Sequence, residues 1–362
     1  VIDFEPSDEQ RLVVETVRQF AQHEIRPRAR ECNEARELPK DVLAHAHELG
    51  LVSNAIDTRF GGGGERSAVT GVLVAEELGW GDLAIALAIL SPSLVALPLQ
   101  DFGSEEQKSE WLPQFTGQAF LPGSLALVEP RFHDDPFRPT THAHANGAAW
   151  VITGRKCFVP WLQGSRVVIV VAASDSGPQA FLVPCEADGL HAEPEKNMGI
   201  DALPTVELEL DGVRVPQASR LGSAQGIDLH RLVHRGRVGL AALAVGLARA
   251  AYEIAREYAK EREAFGAPIA TKQAIAFKLA DMAIEIDAAR LLVWEAAWLL
   301  DRGEPAGRAA RLAHQQASKL ALDVADGAVQ VLGGHGYIRE YLPELHLRHA
   351  RGFASFEALT LV

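Results

Sequence analysis

One carboxylate in this sequence is set among apolar residues. Glu357 stands in the run Phe353-Ala-Ser-Phe-Glu-Ala-Leu359. A carboxyl group seated in an apolar groove has a raised pKa, which suits proton abstraction near neutral pH. A terminal-helix glutamate pointing to water has no such role, and the run itself leaves both readings open. Arginines come next. Arg231, Arg235 and Arg237 cluster on an otherwise alanine-rich segment, and an arginine offers a rigid fork of donors. Asp134, Asp135, His142 and His144 are metal-ligand types, but a loop spacing with no defined orientation makes a poor coordination set.

Composition narrows the rest. The chain has 362 residues, 48% of them hydrophobic, enough for one large core or several cooperating layers. Its three cysteines, Cys32, Cys157 and Cys185, are far apart, odd in number and without CxxC spacing, so they read as scattered thiols. A formal charge of -13 opposes the basic footprint of a nucleic-acid binder. It does not oppose an anionic ligand held locally by arginines and helix-start amides. No basic leader precedes an apolar segment. The apolar stretch Leu83 to Leu99 is interrupted by Ser91, Pro92, Ser93 and Pro98, and is expected to be too short for a membrane span. Cytoplasm is the expected compartment.

Three regions must position these groups. From Ser7 to Phe115 the period is helical: Ser7 with Gln10 resembles a capping box, and helices are expected at Pro39 to Leu49, Ser67 to Leu78, Asp82 to Leu90 and Ser104 to Gln114. Gly61 to Gly64 reads as a loop and lacks the strand and helix flanks of a dinucleotide fingerprint. Strands are expected at Leu125 to Val128, Trp150 to Thr153, Val167 to Ala172, Ala180 to Pro184 and Thr205 to Leu210, the last alternating as T-V-E-L-E-L. Long helices return at Val238 to Ala259, Thr271 to Leu300 and Gly307 to Leu332, and their short links suggest an antiparallel bundle. The expected domains are residues 1–120 (helical), 121–225 (β) and 226–362 (helical bundle).

In this order the segments resemble the acyl-CoA dehydrogenase family over essentially the whole chain. LALVEPRFHDD (125–135) is similar to the family's A-x-T-E-P-x-x-G-S-D loop, WVITGRKCFVP (150–160) to its G-x-K-x-[WF]-I-T stretch, and ELDGVRVP (209–216) to F-x-x-V-x-V-P. The match is closer in VGLARAAYEIAREYAKEREAFGAPIATKQAIAFKLADM (245–282) and AVQVLGGHGYIREY (328–341). The resemblance implies an N-terminal helical domain, a central β domain and a C-terminal four-helix bundle, assembled as a tetramer. It further implies FAD between domains and across a subunit boundary, α,β-dehydrogenation of an acyl-CoA thioester, and an electron-transfer flavoprotein as acceptor. Such chemistry needs a carboxylate for the α proton and a hydride acceptor for the β carbon.

Residue by residue, the resemblance makes Glu357 the base and Arg237 a neighbour that orients its loop. Gly236 occupies the place where some branches carry the base instead. Arg262, Phe265, Gln273, Gln330, Gly333 and Gly334 match contacts to FAD. Val128, Pro160 and Leu359 stand where the family has threonines that bond the flavin. His133 and Asp134 replace a Gly-Ser pair at the substrate loop, bringing a carboxylate toward the CoA. Trp150, Phe158 and Trp161 line an acyl cleft or fill core. Two other readings fit the same motifs: a half-site subunit completing a related partner in a heterotetramer, and a flavin oxidase or monooxygenase on the same scaffold.

Overall fold

The structure, a computed structural model, describes residues 5–222 and 226–362. Capping chemistry sets where the first helices begin. The Ser7 hydroxyl accepts from the Gln10 N–H while the Gln10 side chain accepts from the Ser7 N–H, starting α1 (Asp8–Phe20). A π turn and a 3-10 turn lead into α2 (Ala29–Ala35), which the sequence period does not reveal, and α3 (Lys40–Glu48) follows Pro39. Gly61–Gly64 is the expected loop, shaped by packing: a Cβ on Gly62 would lie 2.1 Å from the Ile56 carbonyl oxygen. Ser67, Asp82 and Ser104 cap α4 (Ala68–Gly81), α5 (Leu83–Leu90) and α7 (Glu105–Phe115).

Between α5 and α7 the expected interruption stands at Ser91 and Pro92 but not at Pro98. Ser91 and Pro92 form a tight turn, but Pro98 lies inside α6 (Ser93–Phe102), whose residues 93–99 are all buried. Packing on every side outweighs the one backbone bond that proline forfeits. By length and composition alone, residues 83–102, which are α5 and α6 on either side of that turn, and residues 229–261 are apolar enough to cross a bilayer; 94% and 78% of their apolar windows are buried within the fold, as in core helices.

The middle region is one sheet of β1 (Ser124–Ala126), β2 (His142–Asn146), β3 (Ala149–Pro160), β4 (Val167–Ser174), β5 (Gly177–Pro184), β6 (Leu190–Pro194), β7 (Thr205–Pro216) and β8 (Arg220–Leu221). Its order is β6-β7-β3-β2-β4-β5-β8, with β1 parallel to β4. β3 and β7 run on to 12 residues each because they pair antiparallel from Ala149↔Pro216 to Pro160↔Thr205, so the ladder carries polar residues that break the apolar pattern. Along β7, Val206, Leu208 and Leu210 are buried. His142 and His144 are exposed positions of β2, not loop residues. Trp150 packs on Phe181 at 5.2 Å inside the sheet's own core, and Trp161 joins that core, so neither lines a cleft.

The C-terminal region comprises α8 (Leu229–Glu261), the hairpin β9 (Glu263–Ala264) and β10 (Ala267–Pro268), α9 (Gln273–Asp301), α10 (Gly307–Leu332), α11 (Gly334–Tyr337) and α12 (Pro343–Gly352). The four longer helices form the bundle, and α4 joins it. A Cβ on Gly246 of α8 would lie 2.0 Å from the Glu76 carbonyl oxygen, and one on Gly79 of α4 would lie 2.6 Å from that of Leu243. The two backbones touch there. Buried Glu76 and Glu77 on α4 are met by Arg249 of α8 (3.0 Å to Glu76), Arg290 of α9 (3.0 Å to Glu76) and Arg18 of α1 (2.9 Å to Glu77). Charges buried this deeply persist because they are paired.

One imidazole joins all three regions. The Ile200 N–H donates to His349 Nδ1 (2.9 Å), so Nε2 keeps the proton and donates to Asp82 Oδ2 (3.2 Å). Asp82 also caps α5 through the Ile85 N–H (3.0 Å). Beside them, burial, with the positive field of Arg26, pushes buried His346 down to about 3. A histidine depressed in the folded state binds fewer protons there than when unfolded, so its stabilisation is present above the ordinary value near 6.5 and is lost as pH falls toward 3. Within that window each pH unit costs about 1.4 kcal/mol per such group. Denaturant unfolding of His346→Leu should show a flatter acid limb than wild type; an unchanged slope counts against this assignment.

Candidate active site

Small residues on α8 decide where the last residues of the chain lie. A Cβ on Gly236 would sit 3.0 Å from Ala358 Cα, and one on Gly239 would sit 2.9 Å from Thr360 Cγ2 and 3.2 Å from Val362 Cγ1. From the other side, Gly71 of α4 admits Val362, whose Cβ would be 3.1 Å away. Polar bonds complete the seat. Arg235 donates to the Val362 carbonyl, and the Leu361 N–H donates to Ser93 Oγ (3.2 Å). Phe356 and residues 358–362 are buried. Ala358 takes a left-handed backbone (φ 49°), which turns the strap so that Glu357 points away from the core.

Glu357 points to Arg237. The guanidinium donates from Nε at 3.0 and 3.2 Å and from Nη2 at 2.6 Å, with both side chains more than four-fifths buried. Arg237 lies over the Phe137 ring at 5.4 Å, and Phe137 stacks on His230 at 4.4 Å. Burial pushes the Glu357 carboxyl above its ordinary value; Arg237 pulls it down, less strongly, and Asp134 adds a further upward push.

Glu357 and Arg237 open onto a cavity of about 730 Å³ with two unlike walls. The helical wall holds Arg237, His314 and Ala354 to Glu357; the sheet wall holds Val128 to Asp134, Pro136, Cys157, Phe158, Glu195 and Glu207. The sheet wall is fastened from behind by a fully buried ion pair, Lys156 Nζ to Glu129 Oε1 at 2.9 Å, with Lys156 also donating to the Leu127 carbonyl. Burial alone would raise the Glu129 pKa, but Lys156 and the Thr140 and Thr141 donors outweigh it and hold the carboxyl at about 2. Phe158, at φ 52°, is held by its N–H donating to Glu195 Oε1 (3.0 Å). Cys157 is no nucleophile, its thiol pushed up to about 12 by burial.

The expected site residues divide into two groups. Glu357, Arg237, Val128, His133 and Asp134 share the cavity. Asp134 is not the bare carboxylate expected there: Arg131 Nε donates to it at 2.8 Å, and it accepts from the Glu129 N–H. Of the three positions without a threonine, only Val128 lines the cavity. Pro160 is buried at the end of β3, where its carbonyl accepts from Ser124, and Leu359 is 1% exposed in the main core. Arg262, Phe265, Gln273, Gln330, Gly333 and Gly334 lie outside the cavity on the exposed surface of the bundle. No local signal marks His314, which shares an ordinary helical run, or Phe137. Lys156 could have been found as a lone lysine within an apolar strand.

Models of the acyl-CoA dehydrogenase N-terminal, middle and C-terminal domains match residues 7–118, 124–213 and 227–357. A probable acyl-CoA dehydrogenase of Bacillus subtilis is 39% identical over 97% of this chain and 94% of its own length. Butyryl-CoA dehydrogenase of Megasphaera elsdenii superimposes with a TM-score of 0.90 and 31% identity, over 98% of this chain and 96% of that one. A glutaryl-CoA dehydrogenase of Mycobacterium smegmatis, solved in complex with FADH2, superimposes at 0.89 with 28% identity, over 97% and 91%.

A methyl group at position 236 cannot be accommodated without moving the strap. Gly236→Ala should lower unfolding free energy by about 1 to 3 kcal/mol, measured by chemical denaturation. A wild-type midpoint in that variant would mean the close approach is not tight.

Proposed function

The chain belongs to the acyl-CoA dehydrogenase family, and from that premise we propose that Glu357 removes the α proton in the FAD-dependent α,β-dehydrogenation of an acyl-CoA thioester to the trans-2-enoyl-CoA. The observation that carries the assignment is a buried carboxylate with a raised pKa, facing a cavity opposite a sheet wall. The family's chemistry passes the electrons on to an electron-transfer flavoprotein.

When bound, FAD supplies the hydride acceptor for the β carbon. The residues present suit it in two places. Val128 and Phe158 offer a wall for a flat ring on the side of the cavity opposite Glu357. On the outer surface, the side chains of Arg262, Gln273 and Gln330 make no hydrogen bond to any described residue, and Gly333 and Gly334 have open space where a Cβ would be. Free guanidinium and amide groups suit a diphosphate and an adenosine. Phe265, 98% exposed at φ 57°, presents a bare ring beside them. Their distance from the cavity supports a cofactor shared between subunits. So does α9, where Phe277, Ile284 and Leu291 recur every seven residues as an exposed apolar seam. We take the assembly to be a tetramer of identical chains.

A half-site subunit in a heterotetramer is the weaker alternative. Its motive was the loss of three flavin contacts, and two of those positions are not on the cavity wall. Base, arginine and cavity stand together in one chain, which suits catalysis here.

The chain's own part in the reaction follows from the charges. Glu357 must be ionised to take the proton, and Arg237 favours that state while burial opposes it. A base poised between the two keeps a useful ionised fraction near neutral pH without being too weak to react. His133 and Asp134 then face the substrate from the sheet side. With Asp134 engaged by Arg131, its charge bears less heavily on an approaching phosphate than a lone carboxylate would.

Glu357→Gln should slow anaerobic flavin reduction by acyl-CoA by about 10²- to 10⁴-fold while leaving FAD content unchanged; near-wild-type reduction would remove Glu357 from the mechanism. Arg237→Gln takes away the influence that lowers the Glu357 pKa, leaving the two that raise it. The ascending limb of the pH–rate profile should therefore move to higher pH, and a shift to lower pH would contradict the electrostatics above.

A further inference from the structure

Besides Ser355, the helical wall of the cavity carries one polar side chain that the reaction does not use. His314 lies on α10 and borders the same cavity as Arg237 and Glu357. Its Nε2 is shielded from solvent and has no hydrogen-bond partner. Burial, reinforced by Arg237, pushes its pKa down to about 4, so the ring is neutral at pH 7. A neutral imidazole carries one N–H and one lone pair. A shielded lone pair is cheaper to leave unmet than a shielded N–H, which assigns the proton to Nδ1. Nδ1 is not among the shielded atoms and makes no hydrogen bond to any described residue, so its N–H is the one free to meet a ligand in the cavity that His314 borders.

We propose that His314 is a specificity-determining residue whose Nδ1–H donates a hydrogen bond to a neutral oxygen, hydroxyl or keto, carried by the acyl chain. The preferred substrate is then an oxygen-substituted acyl thioester and not a plain alkyl one. A charged chain terminus does not suit the same cavity. Its two arginines are already engaged, Arg131 with Asp134 and Arg237 with Glu357, so no free cation is left on the wall for a second carboxylate. Glu195 and Glu207 on the opposite wall add repulsion. A neutral oxygen meets His314 without that penalty. The inference rests on the acyl-thioester reading of the site and adds the class of acyl group.

The test uses the FAD-loaded assembly and pairs of acyl-CoAs of equal length, with and without a hydroxyl or keto oxygen at the γ, δ or a later carbon. Two quantities are read: kcat/KM for flavin reduction, and the affinity for the matching enoyl-CoAs from perturbation of the flavin spectrum. Wild type should favour one oxygenated member over its plain partner by about tenfold or more, the ratio expected for one hydrogen bond. His314→Leu should bring that ratio close to one, and His314→Asn, which keeps a donor, should retain part of it. The proposal is overturned if wild type shows no preference or if the preference survives His314→Leu. It is equally overturned if His314→Leu slows both members of a pair alike, which would assign the imidazole to the thioester carbonyl. Should no acyl-CoA reduce the flavin, the dehydrogenase reading fails, and the affinity ratios still decide the role of His314. Thermal unfolding of both variants separates lost recognition from lost structure.

Discussion

Contact without side chains, between α8 and residues 358–362, is the constraint on which the site depends. Gly236 and Gly239 admit the strap, and Arg235 and Arg237, on either side of Gly236, hold its end and its base. Two arginines and two glycines within five residues thus do three things: they bring residues 358–362 into the core, turn one carboxylate out of it, and supply that carboxylate's counter-charge. A glycine at 236 is more than the absence of an alternative base. Any side chain there would displace the segment that carries Glu357.

Buried ionic and polar bonds act as fasteners elsewhere, each at a junction between layers. Glu76 and Glu77 tie α4 to α1, α8 and α9; Asp82 and His349 tie the helices to the sheet through the Ile200 N–H; Glu129 and Lys156 tie the sheet to its cavity loop. Hydrophobic contact would fill these junctions with as much stability, but it is not directional. Directional bonds fix how one layer sits on another. The cavity needs that, since its two walls come from different regions and must face each other across a substrate.

Cofactor contacts show the same division between local identity and global placement. Val128, Pro160 and Leu359 are equivalent in sequence terms, each an apolar residue where a hydroxyl is expected. Folded, they differ: one borders the cavity, one ends a strand and one is core. Arg262, Gln273 and Gln330 lie outside the cavity on the exposed surface of the bundle, and it is the proposed sharing of a cofactor between subunits that would give them a purpose.

Much of the fold was legible because it rests on local rules. The capping box at Ser7, the alternation along Thr205 to Leu210 and the helix over Gly307–Leu332 each follow from neighbouring residues, and the order of motifs identified the three-region architecture. What the sequence alone could not show depends on contacts between residues far apart. Pro98 stays helical because its surroundings are buried; β3 and β7 lengthen because they pair; Asp134 is neutralised by an arginine three residues away whose orientation no pattern predicts. His314 sits in an unremarkable helical run, and only the packing of α10 against α8 brings it to the cavity beside Arg237. Local propensity is written in a short window of residues. Burial, partner and electrostatic field belong to the folded whole, and those are what hold the Glu357 carboxyl above its ordinary value and leave the His314 Nε2 without a partner.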